Sequence, residues 1–159
     1  MADINTGKQL SAAGPLVQAK MVDRGDGTFA EKIQGPLNQD NITVTTLTAA
    51  SANGTSTDQT NFEGRGLKLV IDVTAISGTS ATLTVTIQGK DPVSGKYFNI
   101  LVSAGLTATG TTVLTVYPGA AVSANVSAND ILPKTWRVSY TITGTTPSVT
   151  ATIGAVVII

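Results

Sequence analysis

A chain of 159 residues with 42% hydrophobic residues makes one ordinary domain, or a smaller domain with an ordered arm, and can bury a real core. Ten Lys plus Arg balance ten Asp plus Glu, and His and Cys are absent, which removes the commonest nucleophiles, bases, soft metal ligands and any disulfide. There is no basic stripe for phosphates, no stretch of membrane-spanning length and no apolar core in the opening MADINTGKQLSAAGP, so the sequence points away from nucleic-acid binding, membrane insertion and a secretory signal.

Aromatic residues are only 4%, so Val, Ile, Leu and Ala must fill the core. Charged residues are 13%, about half the share usual in globular proteins. A weakly charged, Thr-rich surface is poorly protected against association, and makes sense when neighbouring subunits cover much of it.

Residues 1 to about 60 carry half the charges and several turn-rich stretches. Leu16–Val22 and Thr28–Ile33 are strand-like, and Asp23, Gly25, Asp26 and Gly27 between them are strong turn formers, so a β-hairpin is expected. Gly35-Pro36 breaks it. Ile42, Val44 and Thr46 suggest a further strand in NITVTTLTA, and TAASANGTSTDQTN (48–61) reads as a small-residue linker. A two-stranded hairpin is marginal alone and must dock on the main body or on a neighbour. The organisation expected is therefore an N-terminal arm over residues 1–60 and a β-sandwich domain over 61–159.

The second part alternates with a period of two. Leu67, Leu69, Ile71 and Val73 fall on one face, with Lys68 and Asp72 on the other. Leu83, Val85 and Ile87 oppose Thr82, Thr84 and Thr86. Asp91, Pro92, Ser94 and Gly95 mark a turn. KYFNILV (96–102), TTVLTVYPG (111–119) and a weaker AAVSANVSA (120–128) follow. In KTWRVSYTITG, Trp136, Val138, Tyr140 and Ile142 alternate against Arg137, Ser139 and Thr141. PSVTATIGAVVII closes the chain, and an end this apolar belongs in a sheet or a subunit contact. No segment carries a capped 3.6-residue apolar period. Seven main strands at short spacing point to an all-β sandwich, jelly-roll or immunoglobulin-like.

Candidate sites are few. Asp23, Asp26 and Gly27 lack the ligand spread and terminal Glu of a calcium loop and read as a turn. Arg24-Gly25-Asp26 matches an integrin-ligand tripeptide in three letters only. Gly64, Arg65 and Gly66 form no phosphate loop; the glycines suit a tight approach to the sheet, and Arg65 suits an acid across a subunit boundary. Glu31, Glu63, Asp72, Asp91 and Asp130 are the acids from which a glycosidase pair would have to come, but a solvated strand face or a turn cap explains each. Trp136 is expected in the core with an acceptor for its indole N–H, and Arg137 on the opposite face. Loops containing Tyr97, Tyr117 and Asn125 are where a glycan would bind. No catalytic, metal or cofactor residue is assigned, and no enzymatic activity is expected.

The blocks GRGLKLVIDVTAISGT (64–79), TLTVTIQGKDPVSGKYFNIL (82–101), TATGTTVLTVYPG (107–119) and NDILPKTWRVSYTITGTTPSVTATIGA (129–155) resemble a family of tailed-phage virion structural proteins. VQAKMVDRGDGTFAEKI (17–33) is similar to the strand pair that leads into such proteins. The resemblance implies a virion component made in the host cytoplasm. The expectation is a capsid decoration protein on the outer surface of the head, stabilising the shell by bridging major capsid protein subunits. Homotrimers at local threefold positions are likewise implied by the resemblance. A tail or neck component, such as a tail-tube or minor tail protein, is the alternative, and a glycan or host-surface binding module a third.

Overall fold

The computed structural model describes residues 20–23, 29–32 and 41–159. The chain divides into two compact units, Met1–Asn38 and Gln39–Ile159. In the first unit, β1 (Lys20–Asp23) and β2 (Phe29–Lys32) pair antiparallel, with Lys20 opposite Lys32 and Asp23 opposite Phe29. The hairpin expected from the sequence is present. Its turn at 24–28 lies outside the described residues.

The second unit is all-β, with no helix among the described residues. Its strands are β3 (Asn41–Ala50), β4 (Gly54–Thr55), β5 (Gln59–Thr60), β6 (Gly66–Lys90), β7 (Tyr97–Val102), β8 (Gly110–Val116), β9 (Ser127–Ala128) and β10 (Thr135–Ile158). They form one eight-stranded mixed sheet in the order β3-β10-β6-β8-β9. β4 and β5 add to β10, and β7 adds to β6. All pairings are antiparallel except β8 with β9.

β6 and β10 dominate this sheet. The sequence pattern suggested four separate strands in 67–87 and 134–159. The structure joins them into two strands of 25 and 24 residues, paired from Gly66–Ile158 to Gly89–Trp136. Both strands bend at the same level, near 75–81 and 143–148, so their mutual ladder survives the bend. Gly78 (φ +111°) and Gly144 (φ +119°) make it possible. A Cβ on Gly78 would lie 2.7 Å from the Thr146 carbonyl oxygen, and one on Gly144 would lie 2.8 Å from Ala81 Cα. No other residue fits two backbones this close at positive φ. Register shifts cluster here: between Thr143 and Ala151 of β10 there are eight residue steps, against nine between Val73 and Thr82 of β6.

The odd step changes which β10 residues face inward. Trp136, Val138 and Ile142 are buried before the bend, and Val149, Ala151, Ile153 and Ala155 after it. On β6 the inward set stays odd-numbered: Leu67, Leu69, Ile71 and Val73, then Leu83, Val85 and Ile87. Both halves of the ribbon contribute to a single core with Val44, Leu47, Leu101, Leu114, Val116 and Leu132. At roughly 1.5–3 kcal/mol for each large apolar side chain, this burial is the main driving force for folding. The core is aliphatic apart from Trp136, as the composition requires.

Segments 41–50, 54–55 and 59–60, expected in the N-terminal arm and its linker, are built into the sheet against β10. Apolar periodicity is weak there because side-chain–backbone bonds replace it. Ile142 N–H donates to Asn53 Oδ1 at 2.8 Å. Ser56 N–H donates to the Val138 carbonyl at 2.8 Å, while Val138 N–H donates to Ser56 Oγ at 3.0 Å. Ser103 does the same on the other side of the ribbon, exchanging bonds of 2.8 and 2.9 Å with Val85. Each buried hydroxyl stands in for a backbone carbonyl where an edge strand stops. AAVSANVSA, expected as a weak strand, is a turn closed by an isolated bridge between Ser123 and Ser127, and only Ser127 and Ala128 extend the sheet, against β8. Asn125 there adopts φ +61°.

Candidate interaction surface

The outer face of the 82–90 half carries a continuous polar network. Arg137, Gln88 and Asn99 are neighbours across β10, β6 and β7. Arg137 Nε donates to Gln88 Oε1 at 3.0 Å, and Gln88 Nε2 donates to Asn99 Oδ1 at 2.9 Å. The Arg137 guanidinium stacks 3.3 Å from the Tyr97 ring centre. Tyr97 Oη donates to Asp58 Oδ1 at 2.7 Å, and Lys90 Nζ to Asp58 Oδ2 at 2.8 Å. The Lys90 bond, then the Tyr97 bond, lowers the Asp58 pKa below its ordinary 3.8. The same Asp58 bond raises that of Lys90 above 10.5. Sequence reasoning singled out Tyr97 and Arg137 but missed Asp58 and Lys90, because the 58–60 segment meets β10 only in the fold.

The outer face of the 66–76 half is different. Three rungs cross it: Asn41–Val156–Lys68–Thr115, Thr43–Gly154–Val70–Val113, and Thr46–Thr152–Asp72–Thr111. Among the described residues its only charges are Lys68 and Asp72, one on each side of the uncharged central rung. Asp72 accepts a bond of 3.1 Å from Thr111 Oγ1, and Lys68 has no ion pair among the described residues. Val113 is 44% exposed. A shallow depression lies over Gly154, lined by Ile42, Thr43, Val70, Ala155 and Val156. Its volume of about 270 Å³ and its openness suit a contact face better than an enclosing ligand pocket of roughly 300–1,000 Å³.

A third surface lies where the 61–65 and 129–134 loops are laced together. Asn61 Nδ2 donates to the carbonyls of Gly64 (2.7 Å) and Leu132 (2.9 Å), and Leu132 N–H donates to Arg65 O at 3.0 Å. These loops present Phe62, 83% exposed, and Ile131, 64% exposed, among Glu63, Arg65, Asp130 and Lys134. Gly64 and Gly66 allow the close approach expected of them: a Cβ on Gly66 would collide with the Val116 carbonyl.

The remaining sequence candidates do not converge. The side chains of Asp23 and Glu31, and all of Arg24, Gly25, Asp26 and Gly27, lie outside the described residues. Asp91 caps a turn: it accepts from the Ser94 hydroxyl and from the Val93 and Ser94 amides, and these bonds lower its pKa. Asp130 accepts from its neighbour Ile131 N–H at 2.8 Å. Glu63 sits on an exposed loop. Arg65 lies over Tyr117, 5.9 Å from the ring centre. Asn125 Nδ2 donates to the Val102 carbonyl, so Tyr97, Tyr117 and Asn125 have separate partners. Trp136 is fully buried, but its indole N–H finds no acceptor among the described residues, contrary to expectation. Burying the large ring outweighs that unpaired donor, which costs about 1–3 kcal/mol.

Among the described residues no three His, Cys, Asp or Glu side chains group as a metal site, and no helix is long and apolar enough to cross a membrane. No family model, curated protein or solved structure matches the chain.

Proposed function

We propose that the chain is a non-enzymatic virion structural protein, a capsid decoration protein on the outer surface of the head that stabilises the shell by bridging major capsid subunits. The reading starts from the order of sequence blocks that resemble tailed-phage structural proteins. The structural observation that carries it is the pair of laced loops bearing Phe62 and Ile131. Large apolar side chains this exposed, rimmed by charges of both signs, suit burial at a seam between subunits. Each such contact is modest, and repetition over a lattice multiplies the cost of pulling the shell apart. In this reading the two halves of the β6/β10 ribbon face each other as the layers of a β-sandwich. That arrangement accounts for inward side chains on both halves being sealed from water in one core. Copies meeting as homotrimers are implied by the resemblance.

Electron cryomicroscopy of intact virions tests the proposal. Ordered copies over the outer head surface, with the 61–65 and 129–134 loops against capsid subunits, are expected. Density confined to the tail or neck would replace this reading with a tail component. Absence from the particle would remove both. Changing Phe62→Ser together with Ile131→Ser is expected to lower head occupancy without unfolding the protein, because neither side chain belongs to the core.

A further inference from the structure

We propose that the outer face of the 66–76 half is a two-fold contact through which two copies of this chain pack sheet to sheet. The occupant follows from where the charges stand. Lys68 and Asp72 lie two residues on either side of Val70 on one strand, both pointing outward, with the uncharged rung Thr43–Gly154–Val70–Val113 between them. Consider a second copy rotated by 180° about an axis running along that rung. The operation reverses strand direction across the contact, so Lys68 of each copy faces the partner's Asp72. Two opposite-charge pairs form, and no like charges meet. The central rung faces itself, burying Val70 and Val113.

The surrounding surface permits this approach. Strand residues two apart are about 7 Å from each other, and packed sheets lie about 10 Å apart, within reach of a Lys–Asp pair spanning the gap. Nothing projects from Gly154, so the sheets meet without a clash at the centre. Lys68 has no ion pair among the described residues, and Asp72 holds only a threonine hydroxyl, so neither must abandon a strong partner. By contrast, the outer face of the 82–90 half ties its charges to one another. The contact is isologous, the commonest closed form of self-association, and differs from the heterologous ring of a trimer. It stands whether or not the chain is a virion component.

Sedimentation equilibrium of the full chain, up to millimolar concentration, tests it through charge reversal. The native chain is expected to form a dimer that weakens with salt. Lys68→Asp alone and Asp72→Lys alone each put like charges across the axis, and each is expected to weaken association at least about tenfold. The double variant restores opposite pairs and is expected to recover the native association. A misfolded variant cannot produce that recovery. A chain that stays monomeric throughout overturns the proposal, as does any assembly, dimer or trimer, that is indifferent to the single reversals. A thiol placed by Val113→Cys in this Cys-free chain, shielded from a maleimide in a monomer, would assign the face to another part of the same chain and overturn it equally.

Discussion

The two halves of the β6/β10 ribbon share their inner chemistry and part company on the outside. Inside, each supplies alternating aliphatic residues to one core. Outside, the 82–90 half satisfies itself: Arg137 lies on Tyr97, Gln88 bridges Arg137 to Asn99, and Asp58 holds Lys90 and Tyr97. The 66–76 half leaves Lys68 and Asp72 apart around a row of small and apolar residues. Side chains bonded to one another have little to offer a partner. Charges left apart on an otherwise uncharged face have more, and that contrast, not burial, distinguishes a finished surface from an unfinished one.

The largest expected effect comes from cutting the link between the halves. Gly144→Ala forces a side chain into positive φ and against Ala81, and should cost about 2–4 kcal/mol in denaturant unfolding. A variant that unfolds like the native chain would show that the bend does not need this glycine. Next come the hydroxyls at the edges of the 82–90 half. Ser56→Ala and Ser103→Ala each leave a buried N–H, of Val138 or Val85, without its acceptor, for a loss of about 1–3 kcal/mol in the same measurement.

Changes to the outer network should be smaller. Arg137→Ala removes the stack on Tyr97 and should cost about 0.5–1 kcal/mol by thermal unfolding. Asp58 also gives this half a pH signature. Its pKa is lowered in the folded chain, so its contribution is present above about 3.8, the unfolded value, and fades as pH falls through the lower folded value. Lys90 has a raised pKa, so its contribution holds below about 10.5 and fades as pH climbs past the folded value above that. Asp58→Asn should remove this acid-side dependence, leaving the part due to Asp91; an unchanged acid limb in unfolding would refute the assignment. The smallest stability change is expected at the other face. A Cβ on Gly154 would meet nothing closer than the Ile42 carbonyl oxygen at 3.6 Å. Gly154→Lys should therefore shift stability by no more than about 0.5 kcal/mol while abolishing the dimer, read by sedimentation.

Much of this was legible in the residues. Period-two alternation identified the inward sets of β6 and β10 correctly, including Leu67 to Val73, Leu83 to Ile87 and Trp136 to Ile142, because a half-buried strand must alternate. The all-β class followed from the same pattern. The 41–60 segment was misplaced for an equally physical reason: Asn53 and Ser56 hold it by hydrogen bonds to distant backbone, and such bonds leave no periodic trace. The polar network was half legible. Arg137 and Tyr97 stood out as residue types, but Asp58 reaches them across 39 and 79 positions of chain.

By itself, then, the sequence determined what each strand hides and what it shows, since hydrophobic burial acts on neighbours two apart. It also determined the lack of His and Cys chemistry. The tertiary structure alone decided that four expected strands are two, because a ladder continues through a bend only when both partners bend together at Gly78 and Gly144. It also decided which outward residues meet. Lys68 and Asp72 become a matched pair of charges only once β3, β10, β6 and β8 lie side by side and place an uncharged rung between them.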